Sequence, residues 1–208
     1  QDDIAANHLL TDHLKAMGKD VSAQLPVRAP RIELDYLNVS GNVSPTSVLE
    51  GLRRAGRGSV LLGGPPGTGK TQLAAEIAQQ LGRELTYKTA SDINSMWYGE
   101  SEHNVARIFT ECDVANEVLF LDEADTLLGA RESAGNRADR AVTAEFLRRV
   151  EAFEGVFVCA TNHGKEFDSA LMRRFVFRLN FLPLTMAQRS RLLCETALGW
   201  GGGAGELI

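Results

Sequence analysis

Lys70 and Thr71 close the run Gly64-Pro65-Pro66-Gly67-Thr68-Gly69-Lys70-Thr71, which fits the spacing G-x-x-x-x-G-K-[ST]. The run stands between an apolar strand pattern, SVLLGG, and an amphipathic helical pattern, the context in which that spacing carries chemistry. A loop with so few side chains can aim its backbone N–H groups at one point, and the helix that follows adds its positive end. The chemistry is phosphate binding. Gly67 and Gly69 let the backbone curl around the β-phosphate of a nucleotide, Lys70 supplies a point charge to the outer phosphates, and the Thr71 hydroxyl would ligate Mg²⁺.

Hydrolysis needs acidic groups beside that loop, and VLFLDEAD provides them: four apolar strand residues lead into Asp122 and Glu123. Ligands of open parallel sheets bind at the carboxyl ends of the strands, which is where this pair would lie. Asp122 can then hold the Mg²⁺ ion through its water shell, and Glu123 can take a proton from the attacking water; taken alone, the pair also reads as a solvated helix cap. Asn162 ends another apolar strand, VCATN, and can orient that water, although asparagine is equally a turn former. Arg173 and Arg174, in DSALMRRF, are either a solvated pair or the cations that phosphoryl transfer uses on the γ-phosphate, often supplied by a neighbouring molecule.

The elements that must hold these residues are an alternation of short apolar strands and amphipathic helices, the pattern of a parallel sheet covered by helices. Strands are read at SVLLGG, ELTYKTA, EVLFLDE, GVFVCATN and FVFRLNF. Between them, Leu73, Ala74, Ile77, Ala78 and Leu81 share one helical face ending at Gly82, and Val105, Ile108, Phe109 and Cys112 share another. Val142, Phe146, Val150 and Phe153 form a third stripe, and Thr185 with Gln188 has capping-box spacing at the head of a fourth helix. The division that the pattern gives is a lead-in over 1–30, an α/β domain over 31–184, and over 185–208 a last helix with a glycine-rich tail.

Composition narrows the classes further. A net charge of −5 over 208 residues argues against a nucleic-acid binder that works through a broad basic face. The three cysteines, Cys112, Cys159 and Cys194, lack the pair spacing of metal or redox sites and read as reduced core residues of a cytoplasmic protein. No apolar run approaches the roughly 18 residues that span a bilayer.

Taken in order, GPPGTGKT, LFLDEADTLL, ATN and DSALMRRF resemble the classical AAA clade of the AAA+ ATPases, over most of the chain from Leu34 to Leu193. LDYLN, GLRRAGRG and LPLTMAQR look most like its bacterial stand-alone ATP-binding proteins, and the RRF form is also seen in katanin and spastin. The resemblance implies a three-layer αβα P-loop NTPase sandwich, its five-stranded parallel sheet ordered 5-1-4-3-2, with 31–184 as the ATPase large domain and 185–208 as the start of a helical lid, most of it missing. Gly64 to Thr71 would be Walker A, Asp122 and Glu123 Walker B, and Asn162 sensor 1. Arg173 and Arg174 would be arginine fingers acting in the next subunit of a ring, usually a hexamer.

SMWYGESEHN resembles the loop with which unfoldases and severing enzymes grip an extended polypeptide, Trp97 taking the aromatic position with Tyr98 between it and Gly99. ARESAGNRADR would be a second such loop, with Arg137 or Arg140 facing the channel. Two departures stand out: LDYLN replaces the lead-in near the adenine, which concerns Asp35 to Asn38, and EAFEG at Glu151 to Gly155 alters an inter-subunit signal. The implied function is an Mg-ATP-driven ring motor that remodels, unfolds or threads protein substrates. The alternative is an ATP-dependent switch or scaffold that assembles with partners and hydrolyses slowly.

Overall fold

The computed structural model describes residues 37–93, 100–125, 127, 137–162 and 172–190. Asp35, Trp97, Tyr98 and the side chain of Arg137 lie outside the described residues. Strand β1 (Val39–Gly41) is followed by helix α1 (Pro45–Ala55), β2 (Gly58–Gly63), α2 (Lys70–Leu81), β3 (Glu84–Thr89) and a single turn, α3 (Ala90–Ile93). Then come α4 (Glu100–Glu111), β4 (Glu117–Asp122), α5 (Arg137–Ala152), β5 (Val156–Thr161) and β6 (Phe177–Phe181).

The strands form one six-stranded sheet in the order β1-β6-β2-β5-β4-β3. All neighbours from β6 to β3 pair in parallel, which is the expected order 5-1-4-3-2 counted without the edge strand. The sixth strand is an addition to that expectation: Val39 to Gly41 pairs antiparallel with Phe181 to Leu179. The sequence reading also assigns no helix to 45–55. There Ser44 caps the first turn by accepting from the Ser47 N–H, Pro45 takes the first helical position, and Gly56 closes the helix in the left-handed region at φ 70°.

Both sheet faces are buried, so β4 and β5 read as continuous apolar runs rather than alternating ones. On one face Val60, Leu62, Val118, Phe120, Val158 and Ala160 pack against Val48 and Leu52 of α1 and Leu73, Ala74 and Ile77 of α2. On the other, Leu61, Leu119, Leu121, Phe157 and Cys159 pack against Val105 and Phe109 of α4 and Phe146, Leu147 and Val150 of α5. Phe109 is the hub of that layer, with ring centroids 6.1 Å from Phe146, 5.4 Å from Phe153 and 5.2 Å from Phe157. Each fully buried side chain of this size contributes about 1.5–3 kcal/mol through removal of apolar surface from water.

The expected helix ends are present. Gly82 sits at φ 66° and its N–H reaches Ala78 and Gln79 carbonyls, while the Arg83 N–H also bonds Ala78. At residue 185 the capping box forms in both directions: the Gln188 N–H donates to Thr185 Oγ1 at 3.2 Å and the Thr185 N–H to Gln188 Oε1 at 2.9 Å. Cys112 and Cys159 are buried and reduced, and burial pushes the Cys112 thiol up to about 12. Among the described residues no helix is long and apolar enough to cross a membrane.

Candidate functional site

The parallel order places the ends of β2, β4 and β5 side by side, and the glycine loop, the acidic pair and Asn162 follow directly from those ends. Gly64 leaves β2 at φ 136°, its Cα pressed so closely on the Phe181 main chain that a Cβ would collide with the Phe181 carbonyl oxygen. Gly69 precedes α2 at φ 99°, with the Leu37 side chain against it. Only glycine meets both demands at once. No side chain caps the start of α2, so its first turn opens directly onto the loop.

Lys70 is the first residue of that helix and is buried, at 7% exposure. Its ammonium donates to the Gly64 carbonyl at 2.5 Å, the Pro65 carbonyl at 2.8 Å and Asn162 Oδ1 at 3.1 Å. Burial lowers its pKa, and the charges of Asp122 and Asp125 oppose that shift. Thr68 Oγ1 donates to the Pro65 carbonyl at 2.7 Å and tightens the loop from its other side.

One residue on, Thr71 Oγ1 donates to Asp122 Oδ2 at 3.3 Å, joining the helix to the end of β4. The other carboxylate oxygen, Oδ1, accepts the Glu123 N–H at 2.8 Å. Glu123 is the one non-glycine residue with positive φ among those described, at 53°. Such a backbone costs about 1–2 kcal/mol and needs fixing from both sides. The bond to Asp122 holds one side, and the Ala124 N–H donating to the Ala160 carbonyl at 3.0 Å holds the other. The kink turns the chain out of the sheet at this point and leaves Glu123 exposed.

Asn162 is held by a residue that the sequence reading passed over. Asp125 Oδ1 accepts from Thr161 Oγ1 at 2.5 Å and from the Asn162 N–H at 2.9 Å, and Asp125 Oδ2 accepts from Asn162 Nδ2 at 3.3 Å. With its Nδ2 clasped, Asn162 presents Oδ1 to Lys70. Asp125 follows Asp122 at a spacing of three, visible in LDEAD, and that spacing was the available signal. Asp125→Ala should lower stability by about 2–3 kcal/mol, because it strips a charged acceptor from the buried Thr161 hydroxyl. An unfolding free energy from urea titration unchanged within about 0.5 kcal/mol would contradict the clasp.

A second residue absent from the expected set is Tyr87 of β3, whose hydroxyl donates to Asp122 Oδ2 at 3.2 Å. Burial and the Asp122 charge push this phenol well above its ordinary pKa, so it stands there as a donor.

The arginine pair lies elsewhere. The Arg174 carbonyl accepts from Ser59 Oγ at 3.0 Å, next to the first residue of β2, whereas the phosphate loop leaves the opposite end of the same strand. From Ser59 to Gly64 the strand advances about 16 Å at roughly 3.3 Å per residue. Arg174 Nε lies 2.8 Å from Glu151 Oε1 near the end of α5, a charge contact rather than a well-aligned hydrogen bond. Arg173 is exposed. The site thus brings together Lys70, Thr71, Asp122, Glu123 and Asn162, while the Arg174 main chain sits at the opposite end of β2.

Residues 60–182 match the family model described as AAA, ATPase family associated with various cellular activities. The chain is 34% identical over 158 residues to the ATPase family AAA domain-containing protein FIGL1 of Arabidopsis thaliana, covering 73% of this chain and 23% of that one. It is 36% identical over 158 residues to the meiotic spindle formation protein mei-1 of Caenorhabditis elegans, covering 72% and 33%. It therefore spans about a quarter to a third of the length of these relatives. Among solved structures, the FIGL-1 AAA domain in complex with ADP superimposes with a TM-score of 0.54 at 31% identity, covering 68% of this chain and 48% of that one. With the family model spanning β2 to the residue after β6, and the phosphate loop and acidic pair inside it, this chain belongs to the AAA family of ATPases.

Proposed function

We propose that this chain is the ATP-hydrolysing subunit of a ring, a hexamer by the family resemblance, that remodels, unfolds or threads a protein substrate in the cytoplasm. The observation that carries the reading is the split of the hydrolytic set. Five of its residues meet at the carboxyl edge of the sheet, while the Arg174 main chain lies at the other end of β2 and its side chain turns to Glu151. A second copy is what would bring them together.

Within one subunit, Gly64, Pro65, Pro66, Gly67, Thr68 and Gly69 cradle the phosphates with their backbone, and Lys70 exchanges its loop carbonyls for phosphate oxygens. Glu123 takes the proton of the attacking water, and Asn162, fixed by Asp125, holds that water in line. Thr71 Oγ1 and Asp122 Oδ2, hard oxygen donors 3.3 Å apart, fit Mg²⁺, which when bound offsets phosphate charge. Arg173 and Arg174 of one subunit then approach the γ-phosphate in the next. The ADP complex of the similar FIGL-1 domain supports the placement of nucleotide.

The threading part of the reading rests on Trp97 and Tyr98, which fall in the sequence between α3 and α4, outside the described residues. Trp97→Ala should slow ATP-dependent unfolding of a fluorescent protein with an unstructured tail by about tenfold, the loss of an aromatic contact worth roughly 1.5 kcal/mol. Unfolding at the parent rate would remove threading from the account and leave ATP hydrolysis standing.

A further inference from the structure

Asp122 has more donors around it than the hydrolytic set requires. Its Oδ1 takes the Glu123 N–H, and its Oδ2 takes both the Thr71 hydroxyl at 3.3 Å and the Tyr87 hydroxyl at 3.2 Å. Tyr87 comes from a different strand, and two contacts fix its approach. In the β3·β4 register Tyr87 lies opposite Phe120, and Thr89 lies opposite Asp122. The Tyr87 ring rests against the Phe120 ring, centroids 5.5 Å apart at 57°, and a side chain of tyrosine length reaches forward to the carboxylate two residues along.

A phenol that donates its single proton keeps its oxygen lone pairs as acceptors. Tyr87 is 38% exposed, so water reaches it. We propose that Tyr87 is a positioning residue of the cation site: it fixes the Asp122 carboxylate through Oδ2 and offers its own oxygen to a water of the cation's hydration shell. The inference rests on the reading of Thr71 and Asp122 as the cation's donors. Hydrogen bonds that orient a ligating carboxylate commonly change metal affinity by 10–100-fold when removed.

Tyr87→Phe keeps the ring on Phe120 and deletes only the hydroxyl. The test is binding of a fluorescent, non-hydrolysable ATP analogue to the full chain, titrated with MgCl₂ and repeated in EDTA. The Mg²⁺ concentration giving half of the metal-dependent gain should rise about tenfold in Tyr87→Phe. Affinity in EDTA and the melting temperature should not move. In an Asp122→Asn background, Tyr87→Phe should produce a clearly smaller shift, since the hydroxyl acts mainly through that carboxylate. An unchanged Mg²⁺ midpoint would overturn the assignment, as would an equal loss with and without metal, or the same shift in the Asp122→Asn background. If the parent shows no Mg²⁺ dependence, the cation site itself falls together with Tyr87. If the parent shows it and Tyr87→Phe matches the parent, Tyr87 alone falls.

Discussion

Glu123→Gln should lower ATP turnover by a factor of roughly 10²–10⁴, the usual contribution of a positioned general base, while ATP stays bound. The expectation follows from where the residue stands. It follows Asp122, which Thr71 bonds, on a left-handed kink at φ 53° that leaves the side chain exposed. Glutamine keeps the length and one carbonyl oxygen but cannot take a proton. Lys70, Thr71 and Asn162 are untouched by the change, so binding should persist. Phosphate release under steady-state conditions, set beside equilibrium binding of ATP, separates the two effects. Full turnover in Glu123→Gln would mean that another group accepts the proton.

Arg173→Ala and Arg174→Ala should each cost about 10³ in turnover, the lower range for an arginine delivered to the γ-phosphate by a neighbouring molecule. Stability should scarcely change. The Arg174–Glu151 contact is part-exposed, with side chains 28% and 54% accessible, and such pairs contribute less than about 1 kcal/mol. Trading Glu151 for a phosphate in the next subunit is therefore inexpensive. Mixing Glu123→Gln subunits with Arg174→Ala subunits checks action in trans: sites between an intact base and an intact arginine reappear at the mixed boundaries, and turnover recovers above that of either variant alone. A mixture no faster than its components would place the arginines outside the reaction.

Much of this site was legible because its parts are local. Gly64 to Thr71 carry their own strand, turn and helix start, and Asp122 and Asn162 each end an apolar run that had to be a buried strand. Parallel pairing then places those ends together without further information. Tyr87 was not legible: in ELTYKTA it is an ordinary strand aromatic, and its bond to Asp122 exists only through the register of β3 on β4. β1 is similarly silent, three residues long and defined by a partner about 140 positions away. Helix α1 had caps at both ends, but Gly51 in its interior weakens the helical pattern. The reason for that glycine is tertiary. A Cβ there would lie 2.6 Å from Cζ of Phe177, whose ring packs on the helix.

ATP turnover per subunit, measured with the full chain over a wide range of protein concentration, tests the shared site most directly. A steep rise with concentration in the parent and a flat, near-zero line in Arg174→Ala is the predicted result, because in the proposed ring each site is finished by the next subunit. A slow rate independent of concentration, equal in parent and variant, would contradict the ring and describe a nucleotide switch that completes its site alone.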